Sequence, residues 1–436
     1  MTKPLFGTDG IRGIANQAPM DSETMLALAR TLAQKLLPNR PAHVIIGKDT
    51  RASGYMLETA LASGLISEGV DITYTGPVPT PAIPFLVRQN HADLGIMLTA
   101  SHNPWYDNGI KIFNHNGHKL SDTEQETIAE HIGHIRSSNS KTFGQAHHSH
   151  NARTNYVAQI RQSVPKDFSL SGRKIVLDCA HGATYRAASE LFSTLCANEV
   201  IILHDSPDGY NINLNCGATH LDALRAKVVE EQADIGLAFD GDGDRLIAVD
   251  ETGNILDGDQ IMAAICQHWA VSEDFHGELV CTVMSNKGMD RFLNEQGIAV
   301  YRTAVGDRHV IARMRESKAR FGGEQSGHMI FRDHGMSGDG MLSALQLLQV
   351  LQTQDVCASS IGNTFDALVQ KMISVPVPAK NIDLSSAIAE AEKMVGSVGQ
   401  VLVRPSGTEP ILRIMAQAED SETAEKAVEC ITDFLK

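Results

Sequence analysis

The sequence predicts an α/β protein built from several successive units, and three observations predict it. Short β-branched runs alternate with helical patterns, several of those runs open into polar, chemically rich loops, and 436 residues suffice for roughly three domains with separate cores. No fixed-period repeat is visible. The first three units each deliver a loop from a strand end, however, which suggests one architecture used three times.

The first unit is placed at 1–150. A strand at 43–46, a helix at 56–65 and a strand at 71–74 give a βαβ rhythm, and the apolar run Leu94, Gly95, Ile96, Met97, Leu98 reads as a buried strand. Ser121 and Glu124 form a capping-box signature before a helix with Ile128, Ile132 and Ile135 on one face. Residues 137–151, rich in Ser, Asn and His, read as a linker, with His147, His148 and His150 solvated rather than binding metal. The second unit, 151–252, carries strands at 174–177, 200–203 and 235–239, a helix at 221–231 and a closing turn at Thr252-Gly253-Asn254. Strands at 279–284 and 299–303 and an apolar helix at 341–351 make the third, 253–365. The fourth, 366–436, has a hairpin at 400–415 and a terminal helix with Val428, Ile431 and Leu435 facing inward.

Four loops carry the chemistry. Ser101 sits at the carboxyl end of the strand ending at Leu98, where open α/β sheets place their ligands. With His102 and Asn103 beside it, Ser101 is a candidate nucleophile or phosphate carrier, although the same residue types also make ordinary turns. In Asp240-Gly-Asp-Gly-Asp-Arg245 the carboxylates of Asp240, Asp242 and Asp244 alternate with glycines that let the backbone curl around one hard cation. An EF-hand is excluded because Arg245 occupies its sixth position and both flanks read as strands. A phosphatase with Asp240 as nucleophile and Asp242 as acid is a rival, but Asp244 stands where that pattern has Thr or Val.

The third loop, Gly322-Gly-Glu-Gln-Ser-Gly-His328, offers Glu324, Gln325, Ser326 and His328, a donor and acceptor mixture suited to sugar hydroxyls. In the fourth, Arg404 and Arg413 bracket Ser406, Gly407 and Thr408, a set of forked donors, hydroxyls and backbone N–H groups fit for a phosphate.

Composition narrows the class. A net charge of −15 argues against a broad nucleic-acid surface, so an anionic ligand needs a local basic patch. No apolar run reaches the about 18 residues of a membrane span, and the first residues lack a signal peptide's apolar core, so the expectation is a cytoplasmic protein without membrane contact. Seven scattered cysteines with no Cys-x-x-Cys pair read as reduced, packed thiols, with neither disulfide nor metal.

Taken in order, Phe6-Gly-Thr-Asp-Gly-Ile-Arg-Gly13, Gly47-Lys-Asp-Thr-Arg51, Gly76-Pro-Val-Pro-Thr-Pro81 and the four loops resemble the α-D-phosphohexomutases across essentially the whole chain. The resemblance implies three similar αβα domains with mixed sheets and a smaller α+β fourth domain around a central cleft, the last able to swing. It implies a phosphoserine at Ser101 and one Mg²⁺ per chain, held by Asp240, Asp242, Asp244 and a phosphoserine oxygen. Lys111 and His328 would move protons, with His102 in the catalytic set and Arg12 and Arg245 stabilising the phosphoserine. Neighbouring cations are expected to lower the pKa of Lys111 toward that task. Glu324 and Ser326 would hold the sugar, and Arg404, Ser406, Gly407, Thr408 and Arg413 its non-reacting phosphate.

Gln325 and the run Asp107-Asn-Gly-Ile-Lys111 resemble the branch that acts on glucosamine. The expected reaction is therefore interconversion of glucosamine 6-phosphate and glucosamine 1-phosphate through glucosamine 1,6-bisphosphate, with a glucose or mannose phosphate as the alternative substrate within the family. A sugar phosphatase and a non-catalytic sugar-phosphate sensor are the alternatives from other classes. The sugar phosphate is the expected small-molecule partner, and a homodimer is left open. Thr99, Trp105, His181 and His309 stand where Ser, Phe, Asn and Tyr are usual in the family, and none removes a group that carries the chemistry.

Overall fold

The computed structural model describes the chain except residues 1–4, 8, 38–40, 135–137, 139, 196–198, 272–274, 276, 318, 378–381, 406–410 and 436. The first sheet contains β1 (Ile11–Ile14), β2 (Ala42–Lys48), β3 (Val70–Pro77), β4 (Leu94–Leu98), β5 (Asp107–Asn114) and β6 (Ala146–His148), in the order β1-β5-β4-β2-β3-β6. The second contains β7 (Lys174–Asp178), β8 (Glu199–Leu203), β9 (Ile235–Phe239), β10 (Leu246–Asp250) and β11 (Ile255–Leu256), in the order β11-β10-β9-β7-β8. The third runs β13-β12-β14-β15, from β12 (Glu278–Thr282), β13 (Ala299–Thr303), β14 (Phe321–Gly323) and β15 (Met329–Phe331).

One four-strand motif recurs in all three. Its first strand pairs in parallel with the second and third, and the third turns back into an antiparallel fourth: β2, β3, β4, β5, then β7, β8, β9, β10, then β12, β13, β14, β15. The Ser101, Asp240 and Glu324 loops each join the third strand to the fourth. Each thus leaves the carboxyl end of a parallel strand, beside the point where strand order reverses, which is where open α/β sheets bind ligands.

The fourth sheet is fully antiparallel, in the order β16-β18-β17, from β16 (Val369–Pro376), β17 (Gln400–Pro405) and β18 (Ile411–Ala418). Two helices, Ser385–Val395 and Ser421–Asp433, cover it. A continuous core runs through the first three units, including Phe113, Leu177, Phe239, Met262 and Leu345, whereas the fourth encloses its own around Ala391, Ile414 and Val428. Helix Gly340–Gln354 carries this continuity, because its buried residues cover nearly its whole circumference and it packs on β9 and β10 of the second sheet.

The capping box forms as the sequence indicated: Ser121 Oγ accepts the Glu124 N–H at 3.3 Å, and the Glu124 carboxylate accepts the Ser121 N–H at 2.7 Å. Ile135 lies outside the described residues. The tract 137–151 is not linker throughout. Its Ala146–His148 segment adds as a short exposed strand to β3, with His147 opposite Thr73 and His148 opposite Tyr74. The reason is that β3 would otherwise present a row of unpaired N–H and C=O groups, to which any extended segment can bond.

Candidate active site

Ser101 is 1% exposed and holds a left-handed backbone, φ 53°. Its position is over-determined by Arg51, itself fully buried: one guanidinium donates to the carbonyls of Ser101 (2.9 Å), Asn103 (2.8 Å), Asp107 (3.0 Å) and Pro104, and to Asp49 Oδ2 (2.8 Å). Asp49 also accepts the Thr99 hydroxyl at 2.7 Å, and Thr99 Oγ1 in turn accepts the Ser101 N–H at 2.9 Å. From the second unit, Asn213 Nδ2 donates to the Ser101 and Asn103 carbonyls at 2.9 and 3.0 Å. Neither Arg51 nor Asn213 follows from the sequence as a loop clamp. Arg51 lies in a run already notable for its charges, but its target is 50 residues away.

The Ser101 hydroxyl donates to Asp240 Oδ2 at 2.6 Å. One oxygen each of Asp240, Asp242 and Asp244 lies within 4.8 Å of the others, and all three residues are buried. Burial raises the Asp240 carboxyl well above the usual range, and the charges of Asp244 and Asp242 add to it. Asp242 Oδ1 and Asp244 Oδ1 are buried without a hydrogen-bond partner. Three crowded acidic oxygens, two of them orphaned, beside a serine hydroxyl form a donor set that fits a hard divalent ion such as Mg²⁺.

Lys111, 2% exposed, reaches Asp242 Oδ2 at 2.9 Å and Asp244 Oδ2 at 3.0 Å. The expectation of a lowered pKa is overturned. Burial alone would lower it, but Asp242, Asp244 and Asp9 outweigh burial and hold the ammonium well above its ordinary value, because the close neighbours are carboxylates. Burial would likewise lower His328, yet Asp244, Asp307 and Glu324 raise it to about 9. His102 is the reverse case: burial, with Arg245 and Arg12, lowers it to about 4, and its Nδ1 is 3.4 Å from Ser101 Oγ.

These charges form a closed ring of alternating sign across three units. Asp9 contacts Lys111 (3.3 Å) and Lys119, Lys119 reaches Asp307 (2.5 Å), His328 lies between Asp307 (3.7 Å) and Asp244 (3.5 Å), and Asp244 returns to Lys111. Arg12 joins through Asp9 at 2.7 Å and donates to the Ala100 carbonyl at 3.3 Å. Asp9, Lys119 and Asp307 escaped sequence reasoning, because alternation around a ring is invisible when its members lie 110 and 188 residues apart. The second and third loops are also zipped together. Arg245 and His328 form an isolated bridge, and the Leu246 N–H donates to the Gly327 carbonyl at 3.0 Å.

Glu324 accepts the Gly306 N–H at 3.0 Å and is near enough to raise the Arg245 pKa on one side and oppose the lowering of Arg404 on the other. Ser326, exposed, lies 3.4 Å from Glu324 Oε2. Gln325 does not behave as a free specificity group. Its amide donates to Asp257 (3.2 Å) and accepts from Gln370 (3.4 Å), so its polarity is engaged where the third and fourth units meet.

Arg404 and Arg413 are direct cross-strand partners on β17 and β18. Burial and the facing Arg413 charge lower the Arg404 pKa, and Arg404 Nε is buried without a partner. Two guanidinium groups held side by side offer forked donors that match an anion. Ser406, Gly407 and Thr408, which complete that loop, lie outside the described residues.

A thrice-repeated mixed α/β unit, with its repeated loops bringing one serine against a buried cluster of three aspartates, defines a phosphoryl-transfer enzyme of the phosphohexomutase type. Family models for phosphoglucomutase/phosphomannomutase match all four parts: the three alpha/beta/alpha domains at residues 3–139, 154–253 and 257–372, and the C-terminal domain at 367–433. The chain belongs to this family and is a phosphosugar mutase, an isomerase. Similar full-length proteins are named phosphoglucosamine mutase, among them one from Granulibacter bethesdensis (46% identical, 99% of this chain and 96% of that one) and one from Chelativorans sp. (42%, 100% and 98%). Among solved structures, a phosphoglucomutase/phosphomannomutase family protein from Burkholderia thailandensis superposes with a TM-score of 0.84 at 24% identity, covering 100% of this chain and 98% of that one. An Aspergillus fumigatus N-acetylphosphoglucosamine mutase, solved with GlcNAc-6P and magnesium, gives 0.65 at 15% identity, covering 99% and 96%.

Proposed function

We propose that this phosphosugar mutase interconverts glucosamine 6-phosphate and glucosamine 1-phosphate through a phosphoserine at Ser101 and glucosamine 1,6-bisphosphate. The observation that carries the chemistry is the Ser101 hydroxyl bonded to Asp240 within the buried Asp240, Asp242 and Asp244 cluster. The preference for glucosamine rests on the full-length relatives at 42–46% identity.

Phosphoryl transfer asks chiefly for positioning and charge neutralisation. Asp240, Asp242 and Asp244 would hold Mg²⁺, which when bound supplies positive charge to the phosphoryl oxygens. The Ser101 O–P bond breaks as a sugar hydroxyl oxygen bonds to phosphorus, and the hydroxyl proton leaves to a base. Arg51 and Asn213 keep the Ser101 loop fixed throughout. Lys111 and His328, both held cationic, would draw the phosphoryl charge and protonate the departing serine oxygen. His102, held neutral, is placed beside Ser101 Oγ in base form. Arg12 and Arg245 would neutralise the phosphoserine. Glu324 and Ser326 would orient the sugar, while Arg404 and Arg413, with Ser406, Gly407 and Thr408, would grip whichever phosphate is not reacting. The bisphosphate turns round in the site and returns its other phosphoryl group to Ser101.

Among the described residues no helix is long and apolar enough to cross a membrane. The proposed place of action is the cytoplasm, with a homodimer as a candidate assembly. Phosphorus NMR with glucosamine, glucose and mannose 6-phosphates, each with trace bisphosphate, tests the assignment. Glucosamine 6-phosphate is expected to turn over fastest, and a faster glucose or mannose phosphate would overturn the substrate while leaving the mutase chemistry intact.

A further inference from the structure

At the carboxyl ends of β7 and β8, a second group of metal-ligating side chains comes together. His181 follows β7, His204 follows β8, and Cys216 precedes the 3-10 turn Gly217–Thr219. One ring nitrogen of each histidine and the Cys216 sulfur lie within 4.8 Å of one another. The two imidazoles stand edge to face with centroids 5.2 Å apart, and Cys216 is fully buried at the base. Both histidines hold left-handed backbone, φ 48° and 51°.

Behind them lies one fully buried carboxylate that reaches all three segments. Asp178 accepts the N–H of Ala180, next to His181, at 2.9 Å and the N–H of Gly217, next to Cys216, at 3.0 Å. Its Oδ1 is 3.1 Å from His204 Nδ1. A buried carboxylate beside the histidine ligands is the recurrent outer arrangement of histidine metal sites. His181 Nδ1 and His204 Nδ1 are both buried without a hydrogen-bond partner.

We propose that His181, His204 and Cys216 form a second metal site, separate from the Asp240 cluster, for a borderline transition ion of the Zn²⁺ class. Two imidazoles and a thiolate suit such an ion, with water in a fourth position, whereas the three carboxylates of the Asp240 loop suit a hard one. The two sites therefore sort ions by ligand softness. Binding breaks the S–H bond of Cys216, forms a sulfur–metal bond and releases one proton to solvent. The spacing of the ligands, 23 and 12 residues apart, is why the scattered cysteines read as inert from the sequence.

The site abuts the catalytic loops. The His181 carbonyl accepts the Thr50 hydroxyl at 2.6 Å, and Asn213, the Ser101-loop clamp, donates its N–H to the Ala180 carbonyl at 2.9 Å. Gly182 presses on the Asp240 loop so closely that a Cβ there would come within 2.4 Å of the Gly241 carbonyl oxygen. An ion on His181, His204 and Cys216 would thus pin the supports of both Ser101 and Asp240.

Co²⁺ titration of the full chain, kept in excess Mg²⁺, tests this. One equivalent is expected to give an intense near-ultraviolet thiolate-to-cobalt band, abolished by one equivalent of Zn²⁺. Cys216→Ser should lose the band. His181→Asn, at a half-exposed position, should weaken Co²⁺ binding by at least about tenfold, and remains informative if the buried serine variant fails to fold. Asp242→Asn should leave the band in place. Absence of the band in the unaltered chain, or its persistence at equal affinity in His181→Asn, would overturn the proposal.

Discussion

At the scale of single residues, the site depends on where a few atoms are held. Ser101→Ala is expected to lower mutase turnover by on the order of 10³-fold or more while sugar-phosphate binding, read by calorimetry, persists. Unaltered turnover would exclude Ser101 as the carrier. Gly338 sets a second constraint, because a Cβ there would come within 2.4 Å of the His328 ring. Gly338→Ala should therefore displace the imidazole from between Asp244 and Asp307 and reduce kcat by about 10²-fold with little change in folding, as judged by circular dichroism. The identities of Ser101, the three aspartates and His328 were legible because each stands in a short run of unusual chemistry. The protonation states were not, since Lys111 is cationic through carboxylates contributed by two other segments.

Elements decide how rigidly those atoms are presented. Arg51 ties the loop between β4 and β5 to Asp49 at the end of β2. Arg51→Met would strand the buried Asp49 carboxylate and four carbonyls, so unfolding should become easier by about 3–5 kcal/mol in denaturant. An unchanged midpoint would remove Arg51 from the account. Helix Gly340–Gln354 gives a pH test. Its N-cap, Asp339, accepts the Leu342 N–H (2.9 Å) and the Tyr156 hydroxyl (3.0 Å), and burial pushes its carboxyl up to about 6 from 3.8. The folded chain then holds this proton between about pH 4 and 6 after the unfolded chain has lost it, so stability from this group falls as pH rises through that window. Relative to the natural chain, Asp339→Asn should gain about 1–3 kcal/mol between pH 4 and 6 and no more above it. A pH-independent difference in melting would refute the assignment.

For the whole molecule, the important contrast is between apolar and polar joints. The first three units share a hydrophobic core, whereas the described contacts between the third and fourth run largely through amides. Gln417, fully buried, accepts the Lys287 N–H (2.9 Å) and donates to the Ser285 carbonyl (3.2 Å) and to Gln370 (2.9 Å). Asn286 exchanges two hydrogen bonds with the backbone of Leu368. Such a joint can release and re-form with little apolar exposure. Gln417→Ala should weaken it by about 1–3 kcal/mol. The expected signature is faster hydrogen exchange at the amides of Lys287 and β18 and a higher KM, because Arg404 and Arg413 ride on the fourth unit; exchange as slow as in the natural chain would count against the joint.

By itself the sequence determined the α/β class, the parallel strands that launch the first two loops and the four loops that carry the chemistry, because periodicity, capping and short polar runs are local properties of the chain; β1, β5, β6, β11, β14, β15 and β16 carried no such local signal. The shared four-strand order, the Arg51 clamp, the ring from Asp9 through Lys119 and Asp307 to His328, the engagement of Gln325 and the gathering of His181, His204 and Cys216 were decided only in three dimensions. Each joins residues from separate segments. Charge and hydrogen-bonding energy depend on distance through space, which separation along the chain does not encode.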